Sequence, residues 1–134
     1  MKLNSLLTWL KTAINDEDTK FAITNFANAD MIGHTGDYDM GVKTLEELSH
    51  ALAEVVTLAR ERKFPVIITA DHGNIEDLSN ENGKHTNNPV PFIVVLPGKE
   101  KDIASGKISL NYDDKYEFNY FYLLNIFQNK NLKN

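Results

Sequence analysis

The chain has 134 residues, 42% of them hydrophobic and 25% charged, with a net charge of −5 and no cysteine. That length suits one domain with a real core, and an acidic balance without a long basic run argues against nucleic acid or an anionic membrane as partner. The lack of cysteine removes disulfides, thiolate nucleophiles and thiolate metal ligands together, and fits a reducing, cytoplasmic setting.

The opening stretch MKLNSLLTWLKTAI has the outline of a signal peptide, but Asn4, Ser5, Thr8 and Lys11 interrupt it and no small-residue cleavage site follows. No run approaches the roughly 20 apolar residues of a membrane span. Leu3, Leu6, Leu7, Leu10 and Ile14 recur at three- and four-residue steps, which predicts an amphipathic helix over 2–14. After the polar NDEDTK, the stretch FAITNFA (21–27) reads as a strand and NADMIGHTGDYDMG as a glycine-punctuated loop. Thr44 and Glu47 form a capping box, and Leu45, Leu48, Leu52, Val55, Val56 and Ala59 supply the apolar face of a second helix. RERK places positive charge at its end, as the helix dipole favours, and Pro65 closes it.

VIITA (66–70) reads as the second strand, 71–88 as a long polar loop, and VPFIVVL (90–96) as the third strand, stopped by Pro97 and Gly98. The segment 99–115 looks irregular and charged. YEFNYFYLLNIF (116–127) reads as a closing helix, although its aromatic residues also suit a strand. Strand, helix and strand joined by a long crossover imply a parallel pair and a layered α/β fold. In such folds ligands gather at the carboxyl ends of the strands.

The residues with chemistry lie where that rule points. Asp30 and His34 follow the first strand, four residues apart, a spacing that puts two side chains on one face of a helical turn. Asp71 and His72 follow the second strand, with Gly73 permitting a bend there. His85 ends the loop before the third strand. Each feature alone has an ordinary explanation: Asp-His-Gly as a turn, Asp30 as a helix cap, His85 as an exposed loop residue. Five carboxylate and imidazole groups at one edge favour a metal site instead. His50, inside the second helix, reads as a partly exposed helix residue. Oxygen and nitrogen donors without sulfur suit manganese, zinc, magnesium or iron, and five donors exceed one tetrahedral shell, so two ions fit.

The motifs NFANADMIGHTG, TADHGN and HTNNPVPFIVV, in this order from about Phe21 to Leu96, closely resemble the C-terminal part of the cofactor-independent phosphoglycerate mutases, in the alkaline phosphatase superfamily. The resemblance implies a partial three-layer α/β fold, a mainly parallel sheet flanked by helices. It also implies two divalent ions, usually manganese, with Asp30, His34 and His85 holding one and Asp71 and His72 the other. The family interconverts 3-phosphoglycerate and 2-phosphoglycerate in glycolysis through a phosphoserine intermediate. Its nucleophilic serine, a further aspartate ligand and the arginine-bearing domain that grips substrate precede the matching region. None of Ser5, Ser49, Ser79, Ser105 and Ser109 sits in a matching motif, so no residue here is expected to be the nucleophile. The tail departs as well, offering YEFNYFYLL where the family usually has an Asp-Ile-Ala-Pro-Thr stretch.

The expectation is a single-domain, metal-binding portion of such a mutase over 1–134, inactive alone, which pairs with a complementing N-terminal half or with a second copy of itself. A phosphopentomutase-like fragment shares TADHG but fits the other two motifs less well. The non-enzyme alternative is a metal-binding or oligomerising remnant that keeps its acid–histidine cluster for folding.

Overall fold

The computed structural model describes residues 3–79 and 83–99. In chain order these form α1 (Leu3–Asn15), α2 (Asn28–Gly33), α3 (Tyr38–Glu61), β1 (Val66–Thr69) and β2 (Phe92–Val95). The apolar stripe of α1 packs along α3, where Ile14, Val55 and Ala59 are buried and Leu7, Leu10, Leu58, Phe64 and Val66 close around them. A Lys11–Glu54 ion pair at 2.8 Å joins the two helices at the surface. Exposed as it is, it contributes little beside the apolar contact. None of the helices is long and apolar enough to cross a membrane, among the described residues.

Helix α3 begins earlier than the Thr44–Glu47 capping box predicts. Its N-cap is Asp37, whose carboxylate accepts from the Met40 N–H at 3.0 Å. Thr44 lies inside the helix and is buried. The glycines that read as loop punctuation have a packing role: a side chain on Gly41 would start 3.0 Å from Leu78 Cδ1, so glycine lets the 74–79 segment lie against the helix. At the other end, Lys63 adopts a left-handed φ of 55°. The Phe64 N–H reaches back to the Ala59 carbonyl at 2.8 Å and the Lys63 N–H to Arg60 at 3.3 Å. This is a Schellman ending, with Phe64 tucked against the core beside Ala59.

The sheet differs from expectation. FAITNFA (21–27) carries no strand, and Ile23 within it is 61% exposed. β-forming side chains do not make a strand without a neighbour to share hydrogen bonds. The single sheet among the described residues is instead the antiparallel pair β1–β2, in register Val66↔Val95, Ile67↔Val94, Ile68↔Ile93 and Thr69↔Phe92. The expected parallel pair is therefore absent there. The chain after Lys99, including the closing helix expected over 116–127, lies outside the described residues.

Candidate metal centre

An antiparallel pair sets the end of one strand beside the start of the next. The residues leaving β1 and those entering β2 therefore meet, and an isolated bridge between Gly73 and Thr86 extends that pairing into the long loop. This brings His72 and His85 together, their rings stacked at 3.5 Å between centroids with a 17° tilt. The third contributor is α2. Asp30 lies in its first turn and His34 is its C-cap with helical φ and ψ, so the four-residue spacing puts both side chains on one face.

Asp30, His34 and His85 converge. Asp30 Oδ1 lies 3.3 Å from His34 Nε2 and 3.3 Å from His85 Nε2, and the two nitrogens are 3.3 Å apart. Ligand bonds of about 2.0–2.2 Å in a tetrahedral shell separate neighbouring donors by about 3.3–3.6 Å. Three donors at these distances already have the spacing of one face of such a shell.

Protonation points the same way. His34 Nδ1 donates to the Gly83 carbonyl, which can only accept. In the neutral ring the Nε2 lone pair is thus turned toward the Asp30 carboxylate, and such an outer carbonyl contact is the usual way a ligating imidazole is oriented. Asp30 itself is held below the usual carboxylate range, chiefly by the hydrogen bond from Asn74, against a desolvation penalty and with help from His34, His85 and His72. With the imidazoles neutral, the ionised Asp30 carboxylate and the His34 Nε2 lone pair suit a cation in charge as well as in spacing. A divalent ion fits these donors.

Asp71 and His72 are not part of that triad, although the His72 ring stacks on that of His85. The Asp71 side chain is 84% exposed and its Oδ2 lies 3.5 Å from His72 Nε2. The other nitrogen, His72 Nδ1, is buried without a hydrogen-bond partner among the described residues. These two residues supply at most half of a four-ligand shell. His50 is exposed on α3, away from the cluster.

Three further residues at the centre escape a reading by sequence: Asn74, Glu76 and Gly83. Asn74 is buried and donates to Asp30 Oδ1 at 2.7 Å, although by sequence it reads only as part of the long polar loop. Gly83 has a φ of 55°, and a side chain there would collide with the His34 backbone, so only glycine lets its carbonyl reach the ring.

A sequence profile described as the metalloenzyme superfamily matches residues 1–116. The chain is also similar to several 2,3-bisphosphoglycerate-independent phosphoglycerate mutases. It is 36% identical to that of Salinibacter ruber over 112 residues, covering 81% of this chain and 21% of the relative. It is 45% identical to that of Mycoplasmoides gallisepticum over 85 residues, covering 59% and 17%. With that of Bacteroides fragilis it shares 36% identity over 104 residues, covering 75% and 21%. The chain thus spans about a fifth of the length of these relatives. With a superfamily profile matching most of its length, this chain belongs to the metalloenzyme superfamily.

Proposed function

We propose that these 134 residues are the C-terminal, metal-binding portion of a phosphoglycerate mutase that interconverts 3-phosphoglycerate and 2-phosphoglycerate in cytoplasmic glycolysis. The observation that carries the reading is the triangle of Asp30, His34 and His85 donors at 3.3 Å, in a chain similar to these mutases. In this reading those three residues hold one divalent ion, most simply Mn2+, and Asp71 and His72 provide two ligands of a second. Bound there, such ions would neutralise charge on a transferring phosphoryl group; this chain contributes the ligands and their orientation. The parallel, three-layer sheet is proposed for the assembled enzyme, in which further strands would pair with the 21–27 segment.

By themselves these residues are inactive, because none of their serines lies in a motif matching the nucleophile. The test is a mutase assay of the chain alone and mixed with an N-terminal polypeptide carrying the serine and the substrate arginines. Activity only in the mixture, abolished by His85→Ala, is expected. Turnover by the chain alone, or a mixture indifferent to His85→Ala, would sink the proposal.

A further inference from the structure

One chain of hydrogen bonds ties the three segments of the metal centre together. The Asn74 amide donates to Asp30 Oδ1 at 2.7 Å and to the Asp30 carbonyl at 3.2 Å. The backbone N–H of Asn74 donates to Glu76 Oε2 at 2.6 Å. The other oxygen of Glu76 accepts from the Thr86 hydroxyl and from Asn88 Nδ2, the latter at 3.0 Å. Thr86 directly follows His85, and its N–H donates to the Gly73 carbonyl at 2.8 Å. Two glycines make room for this path. A side chain on Gly33 would overlap the Asn74 amide, and one on Gly73 would overlap both Thr86 Oγ1 and the Glu76 carboxylate.

The path has a consequence for the ion site. A carboxylate oxygen offers two lone pairs. On Asp30 Oδ1 one is taken by Asn74, while the same oxygen faces His34 Nε2 and His85 Nε2. Without the amide the carboxylate is free to rotate, and the three donors lose their common spacing. Glu76 acts one step further out, joining the segment that carries Asn74 to the one that carries His85.

We propose that Asn74 and Glu76 are positioning residues for the ion site: Asn74 orients the Asp30 carboxylate, and Glu76 locks His85 beside it. This rests on the reading of Asp30, His34 and His85 as ion ligands. Loss of such an outer contact typically weakens metal binding by about 10–100-fold.

The test is a Co2+ titration of the full chain, followed by visible absorption, in the original sequence and in Asn74→Ala and Glu76→Gln, with the metal-free melting temperature of each. The expected result is affinity at least about tenfold weaker in both variants, with saturated spectra that differ from the original in both, marking a changed ligand arrangement. Equal affinities and identical spectra overturn the inference while leaving the ion site standing. Weaker affinity with an unchanged saturated spectrum and a lowered metal-free melting temperature also overturns it, since that describes mere support of the fold. If Asn74→Ala does not fold, Glu76→Gln, altered at an exposed side chain, decides by the same criteria. Failure of the original sequence to take up Co2+ removes the ion site itself, and this inference with it.

Discussion

Glu76 is the most strongly shifted acid of the centre, and its environment makes a prediction that needs no metal. Its carboxyl is brought down from 4.5 to about 2, first by the Thr86 hydroxyl, against desolvation, with further hydrogen bonds from its own backbone N–H, Asn88 and the Asn74 N–H. The folded value lies below the unfolded one, so the stabilisation is complete above about 4.5 and is lost as the pH falls through about 2. Metal-free melting curves of the original sequence and Glu76→Gln should therefore differ most above 4.5 and draw together as the pH falls toward 2. A difference that stays constant across that window contradicts the assignment. At this scale type and spacing pick out Asp30, His34, Asp71, His72 and His85, the resemblance groups Asp30, His34 and His85, and the structure brings those three side chains together. Asn74 and Glu76 are not picked out, because their roles consist of contacts to residues 44 and 10 positions away. No local pattern announces such contacts.

At the scale of elements, periodicity located α1 and the body of α3 because a buried stripe repeats with the helix. The ends were harder. Gly36 and Gly41 read as breakers, yet Gly41 is a packing position inside α3, and the cap is Asp37, seven residues before Thr44. At the far end Lys63 occupies a backbone conformation that favours glycine. Two substitutions should move stability in opposite directions. Asp37→Ala removes the cap and should destabilise by about 1 kcal/mol, whereas Lys63→Gly relieves the left-handed residue and should stabilise by up to about 1 kcal/mol. Urea titrations read both, and a destabilising Lys63→Gly contradicts the Schellman ending. The strands show the opposite limit. VIITA and VPFIVVL were found by composition, but their antiparallel pairing was not, because composition says nothing of a strand's neighbour. The sheet-edge argument nevertheless pointed to residues that the structure gathers, since an antiparallel pair also brings together one strand's end and the other's start.

The chain matches a short stretch of its relatives. It spans about a fifth of its relatives' length, and no large side chain is fully buried among the described residues. Tyr38, Val42 and Leu45, at helical spacing on α3, are exposed, as is Ile93 on β2. Apolar surface of this kind commonly marks a contact face. In isolation the chain is expected to associate with itself, and light scattering should report a mass above that of one chain; a monodisperse monomer contradicts this. Adding the complementing polypeptide should replace that assembly with a mixed one.

As proposed, Asp30, His34 and His85 form one competent ion site, while Asp71 and His72 are half of another. Calorimetric titration of the chain with Mn2+ tests it most directly. One tightly bound ion per chain is expected, lost in His34→Ala and in His85→Ala, with any second ion held far more weakly. No binding, binding indifferent to both substitutions, or two ions of equal affinity would contradict it.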